Sequence, residues 1–335
     1  MLIICFYVDD LIYTENDISM VEIFKKSMKV EFDMTDIGMI HYFLGIEVVQ
    51  STDGIFIAQK KYAQEILDRF QMKGCNSTSS STEFGSKLTK EPRGRRVDNT
   101  LYKQIVGSLM YLTATRPDIM YSLSLIRRYM ESPKEVHLLA AKRTFRYLQG
   151  TTNYGLFYAK GEKSDLVGFT DSDYARNLDN WKSMFGYVFT MGSGEISWSV
   201  RKQSIATLST TEAEYVEAAC AYQAIWMRKA LEEINFKQNG STLSFSVTAS
   251  SAIKLSKNAI QHGRNKHINV KFHFLRDLIK DGVIDLIFSR SENQIVDVFT
   301  KSLKLASFLK FRKLLGVCNL ENHILNVLSI LRMLY

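Results

Sequence analysis

The chain has 335 residues and 46% apolar content, enough for a buried core and long enough for two compact units. A formal charge of +8 with a pI near 9.1 is modestly basic, which a solvated surface explains unless other features point to a polyanion. Cysteine usage argues against a disulfide scaffold or zinc module: Cys5, Cys75, Cys220 and Cys318 lie far apart with no CxxC pair. The apolar start MLIICFYV lacks a basic n-region and is broken by Asp9-Asp10, so it does not read as a signal peptide, and no run approaches the ~20 apolar residues that span a bilayer. The expectation is a soluble cytoplasmic or nuclear protein with reduced thiols and no membrane partner.

Residues 1–13 read as strand, acidic turn, strand, with Asp9 and Asp10 at the tip of a hairpin whose flanks are apolar. Residues 18–32 place Val21, Phe24 and Met28 at helical spacing. Residues 42–49 and 55–58 form a strand pair around Asp53-Gly54, a strong hairpin dipeptide, and 62–70 an amphipathic helix. Residues 74–98 are polar and charged, which predicts an exposed connector whose Arg93, Arg95 and Arg96 either approach nucleic acid or are simply solvated. Residues 100–150 read as all-helical: Pro117 and Pro133 open two of the pieces and Gly150 closes the last. Lys142, Arg143, Arg146 and Tyr147 place basic and aromatic groups on one helix, either to grip a phosphate backbone or to combine core packing with a solvated face.

A strand GLFYA begins near Tyr154 and is read as the start of the second unit. The apolar run LVGFT (166–170) delivers Asp171 at its end, with Asp173 two places on. Two further strands, 186–191 and 195–200, are split by Gly192-Ser193-Gly194. Ser209-Thr210-Thr211 introduces a helix over 212–234 with Glu212 and Glu214 in its first turn, as a capping signal should. Strand 243–247, a helix from 250, a basic His-bearing stretch over 261–273, strand 283–288, a short helix over 293–301 carrying Asp297, and an amphipathic piece over 308–315 complete the pattern. Three strands and a helix that bring one carboxylate beside another suggest a metal-dependent nuclease core.

Eight stretches in unbroken order from Met1 to about Leu315 (YVDDLI, HYFLGIEV, LYKQIVGSLMYLTATRPDI, GFTDSDYA, ISWSVRKQ, LSTTEAEYVEA, KHINVKFHFLRD and QIVDVFTKSL) resemble the Pol polyprotein of copia-type LTR retrotransposons. The resemblance implies a reverse transcriptase followed by a ribonuclease H domain. The fold it implies is α/β: a mixed sheet with flanking helices, preceded by a truncated polymerase palm and a helical thumb or connection. Expected boundaries are a palm remnant over 1–72, linker and helical connection over 73–150, the ribonuclease H-like domain over 151–303, and a C-terminal helix and tail over 304–335. Partners would be an RNA–DNA hybrid or RNA, and other Pol chains.

By the same resemblance Asp9 and Asp10 are the metal-binding hairpin of the polymerase. Its third acid belongs to a strand upstream of this sequence, so no DNA synthesis is expected. For ribonuclease H, the resemblance makes Asp171 the strand acid shared between two Mg²⁺ ions, Glu212 the helix acid and Asp297 the late acid. Lys266 and His267 would meet nucleic acid, His267 or His273 would assist proton movement or product release, and Asp173 and Glu214 would lie further out. The family reads Cys-Asp-Asn-x-Ser-Ala-Ile where this chain has Val247-Thr248-Ala249-Ser250-Ser251-Ala252-Ile253, so Thr248 stands in place of a metal-binding Asp. Two divalent ions ~4 Å apart repel by on the order of 15–20 kcal/mol at an effective dielectric near 20, and a neutral hydroxyl does not offset that. The sequence therefore implies an impaired nuclease of ribonuclease H ancestry, the alternatives being a non-catalytic nucleic-acid-binding relic and a still-active enzyme.

Overall fold

The computed structural model describes residues 2–15, 18–32, 34–90, 93–161, 165–173, 177, 179–203, 221–236, 243–247, 253 and 269–320. Among them no helix is long and apolar enough to cross a membrane.

The chain opens with an antiparallel hairpin, β1 (Leu2–Tyr7) and β2 (Asp10–Glu15), closed by Val8 and Asp9. The turn lies one residue earlier than expected, so Asp10 pairs with Tyr7 as the first residue of β2. Helix α1 (Ile18–Glu31) follows. Strands β3 (Tyr42–Phe43), β4 (Ile46–Gln50) and β5 (Gly54–Ala58) form an antiparallel meander, and α2 (Lys60–Arg69) buries Ala63, Ile66 and Leu67.

The helical region comprises α3 (Asn99–Leu112), α4 (Met120–Ile126) and α5 (Glu135–Gln149). Asp98 caps α3 by accepting from the Thr100 amide at 2.8 Å. The run Thr115-Arg116-Pro117-Asp118 between α3 and α4 places a buried ion pair in the core. Arg116 donates from Nε and Nη2 to the two oxygens of Asp118 at 2.9 and 2.8 Å, and to the Thr151 carbonyl and hydroxyl at 2.8 and 2.9 Å. Tyr147 donates to the same carboxylate, and Arg312 donates to the Tyr147 hydroxyl at 3.1 Å. Each nitrogen of the guanidinium thus donates to an oxygen, as a charge out of water requires.

The connector over 74–98 is largely exposed, as expected, and is in addition strapped down by hydrogen bonds. Thr78 N donates to Arg146 O, Ser81 Oγ to Asp118 O, and Gly85 N to Ser302 Oγ. His137 is buried, stacks on Tyr129 with ring centroids 3.9 Å apart, accepts the Lys134 amide on Nδ1 and donates Nε2–H to Thr89 O at 2.9 Å. Small hydroxylated side chains pack readily into such grooves, and polar composition alone does not distinguish them from a solvated tether.

Strand β6 (Tyr154–Ala159) was expected to open the nuclease-like unit. It is hydrogen-bonded instead to β5, in the sheet of order β12-β6-β5-β4-β3, where β12 is Val317–Asn319. The second sheet contains β7 (Leu166–Ser172), β8 (Met184–Met191), β9 (Gly194–Lys202), β10 (Leu243–Val247) and β11 (Ile284–Phe288) in the order β11-β10-β7-β8-β9. β7, β8 and β9 are antiparallel, whereas β10 runs parallel to β7 and β11 parallel to β10. Parallel neighbours require crossovers, and helices α6 (Ala221–Glu233) and α7 (Asn269–Lys280) lie in them. This is a mixed α/β sheet with the ribonuclease H-type strand order.

Alternation along β8 covers both faces. Met184 and Val188 join the core of the helices, while Phe189 packs with Phe245, Leu275, Leu286 and the α6 residues Ala221 and Ala224. The first face also receives α8 (Asp297–Thr300) and α9 (Leu305–Leu314) through Val296, Val298, Phe299, Phe308 and Phe311.

Candidate active site

β7 carries Asp171 to its C-terminal end, 1% exposed. Directly across β8 stands Gly186, where a Cβ would come within 3.0 Å of Phe299 Cβ and Val296 Cγ1. The bare backbone lets α8 lie against the sheet. Asp297 sits in the first turn of α8 and Thr300 at its end. The Thr300 hydroxyl donates to Asp171 Oδ2, while Lys301 Nζ donates to Asp297 Oδ1 at 2.7 Å and to Asp171 Oδ1 at 3.3 Å. Two buried carboxylates from distant parts of the chain therefore converge on one ammonium.

Gln294 sets this geometry. It is fully buried, and its Nε2 donates to Thr170 O at 3.0 Å and Ser246 O at 3.2 Å, tying the segment leading into α8 across the parallel strands β7 and β10. Sequence reasoning singled out Asp297 but missed Gln294, Thr300 and Lys301. Their signal was a polar residue at each end of the apolar run Ile295, Val296, Val298, Phe299.

Burial, and then the charge of Asp171, raise the Asp297 carboxyl to about 6 against the opposing pull of Lys301. Burial also works to lower the Lys301 ammonium, but Asp171 and Asp297 outweigh it and hold the group above its ordinary value. Asp173 is buried as well, and its carboxyl accepts the Met184 amide while its own amide donates to Met184 O, extending the β7–β8 pairing.

Glu212, Glu214, Thr248, Lys266 and His267 lie outside the described residues, as does the side chain of His273. Asp9 and Asp10 are exposed on the hairpin, and among the described residues no group of three or more His, Cys, Asp and Glu side chains could hold a metal ion. Lys142 is exposed on α5. Arg143 donates to Ser80 Oγ at 3.3 Å and Arg146 to Asn76 O at 2.7 Å, so both hold the connector.

Fold and site together give a ribonuclease H-like mixed sheet with two aspartates converging near the end of its central strand. Residues 1–83 match the family of reverse transcriptases (RNA-dependent DNA polymerases). The retrovirus-related Pol polyprotein from transposon TNT 1-94 of Nicotiana tabacum is 33% identical over 326 residues, covering 94% of this chain and 24% of the relative. That from transposon RE1 of Arabidopsis thaliana is 33% identical over 312 residues, covering 93% of this chain and 21% of the relative. The chain belongs to the Pol polyproteins of copia-type retrotransposons, and spans under a quarter of the length of these two relatives. A solved foamy viral protease–reverse transcriptase in complex with double-stranded DNA is 15% identical with a TM-score of 0.47, covering 86% of this chain and 46% of that one.

Proposed function

We propose that this stretch of Pol carries a ribonuclease H-type site for the RNA strand of an RNA–DNA hybrid, with Asp171, Glu212 and Asp297 as its carboxylates. We propose also that Thr248 leaves the site one anion short, so that it binds hybrid and cuts it poorly. The observation carrying this reading is the convergence of Asp171 and Asp297 on the Lys301 ammonium at the end of β7. Oxygen donors suit Mg²⁺, and this pair already attracts a cation, so the donor chemistry fits the metal the family implies. When bound, Mg²⁺ would supply an activated water and stabilise the leaving oxygen. The chain's own part is to hold Asp171 with Thr300, to hold Asp297 with Lys301, and to fix α8 through Gln294.

Asp9 and Asp10 are proposed to support no nucleotide transfer here, because they are exposed and no third carboxylate joins them among the described residues. The nuclease reading is tested by incubating the chain with a labelled hybrid and Mg²⁺ or Mn²⁺. The wild type should leave the hybrid essentially uncut, and Thr248→Asp should restore cleavage. Robust wild-type cleavage abolished by Asp171→Asn would refute the missing-anion argument.

A further inference from the structure

His137 stands in the first turn of α5, fully buried, and the carboxylate site gives it no role. Its neighbours fix its protonation state. The Lys134 amide, 3.1 Å from Nδ1, can only donate, and the Thr89 carbonyl, 2.9 Å from Nε2, can only accept. The ring therefore carries a single proton, on Nε2. An imidazolium would turn a second N–H, at Nδ1, against the Lys134 N–H and leave the start of α5 without that acceptor. Tyr129 leaves the ring little room to turn, lying within 6° of parallel with the centroids 3.9 Å apart.

Three segments of the chain meet here. Val97 N donates to Pro133 O and Glu135 N to Arg95 O, both at 3.0 Å, and Arg96 pairs with Lys134 in an antiparallel bridge. The connector is thus laced to the residues that lead into α5. One residue past Thr89, the Lys90 amide donates to Asp179 Oδ1 at 2.9 Å. Asp179 belongs to the loop between β7 and β8, and its own amide donates to the buried Asn177 side chain at 2.9 Å. Thr89 and Lys90 therefore join α5 to the loop that follows Asp171 and Asp173.

The charges around the ring oppose one another. Burial has the largest influence and, with Lys134, holds the imidazole below its ordinary 6.5, against the Thr89 carbonyl and Asp179. Tyr129 brings no charge, since burial lifts its phenol to about 12, with Asp179 adding to the rise and Arg128 opposing it. The other charged residues of the contact, Lys90, Arg96 and Glu135, are exposed.

We propose that His137 is an acid-released latch: taking up a proton frees Thr89 and the 95–97 bridge from the start of α5 and slackens the Lys90–Asp179 tie to the loop between β7 and β8. The proton comes from water, and only hydrogen bonds change. The stability held by the neutral ring is complete above pH 6.5, the value of the opened chain, and is lost as pH falls toward the lower folded value. Within that window opening should grow about tenfold per pH unit, the mark of a single proton. The latch calls on neither metal nor nucleic acid, so it stands or falls apart from the nuclease reading.

The test is hydrogen exchange of the full chain, read by mass spectrometry from about pH 7.5 to about pH 5 with the chemical exchange rate divided out. Peptides carrying Lys90, Val97 and Glu135 should lose protection about tenfold per unit once the pH drops below 6.5, while Tyr102 to Leu109 of α3 keep theirs. His137→Gln supplies an acceptor for the Lys134 amide that does not titrate, and should hold protection within about twofold across the range. Wild-type protection that stays constant overturns the latch, as does an equal loss in wild type and His137→Gln. Should the glutamine variant fail to fold, ¹⁵N resonances of the wild-type ring decide. They should show the Nε2–H tautomer at neutral pH and a midpoint below 6.5 that coincides with the loss of protection. The other tautomer, or a midpoint at 6.5 or above, overturns the proposal as well.

Discussion

Replacing Glu195 by glutamine tests how the two sheets are joined. Glu195 is fully buried on β9, and neither carboxyl oxygen has a hydrogen-bond partner among the described residues. Its backbone carbonyl accepts the Tyr158 hydroxyl of β6 at 2.7 Å, so the carboxyl lies at the seam between the sheets. Burial raises it from 4.5 to about 9. The folded value lies above the unfolded one, so the stability contributed by the protonated acid is fully present below pH 4.5 and is lost as pH rises toward 9. Each pH unit in that window removes about 1.4 kcal/mol, because the unfolded chain releases a proton that the folded chain keeps. Glu195→Gln keeps the shape and removes the titration. In urea denaturation its stability relative to wild type should rise by about 3 kcal/mol between pH 5 and pH 7. Parallel profiles for the two proteins would refute the reasoning, since the carboxyl would then be ionised and paired in the fold.

Other substitutions probe the core and the site. Arg116→Met strands the Asp118 carboxylate without its guanidinium and should cost about 3–5 kcal/mol in chemical denaturation, far more than an exposed Arg93→Met. Gly186→Ala drives a methyl into Phe299 and Val296, and should destabilise by about 1–3 kcal/mol and weaken Mn²⁺ binding by displacing the segment that carries Asp297. Lys301→Met removes the ammonium between Asp171 and Asp297. It should lower the metal-free melting temperature and enlarge the stabilisation given by Mn²⁺, because the ion then replaces a lost charge without competing for its place. An Mn²⁺ response equal to wild type would show that Lys301 does not occupy the cation's position.

What sequence could reveal followed the range of the forces involved. The strand ending at Asp171 was legible because a fully buried strand is a continuous apolar run, and the turn Gly192-Ser193-Gly194 because turn chemistry is local. The partner of Tyr154–Ala159 was not legible: its pairing with Gly54–Ala58 joins segments about a hundred residues apart, and alternation fixes a face but not a neighbour. The connector's exposure was legible from its composition, but its ties were not, because Thr78, Ser81 and Thr89 are polar by composition yet bonded across the helices through backbone and side chain. Asp297 could be placed by resemblance. Its setting could not, since Gln294, Thr300 and Lys301 gain their roles only when α8 meets β7 and β10. That β9 runs to Lys202 was not legible either, since propensity locates the end of an element only within a few residues.

The most direct test of the missing anion is the number of divalent ions the site holds. Electron paramagnetic resonance titration of Mn²⁺ into the wild-type chain and Thr248→Asp should find no more than one tightly held ion in the first and a second in the variant. Two tightly held ions in the wild type, lost together on Asp171→Asn, would contradict the account.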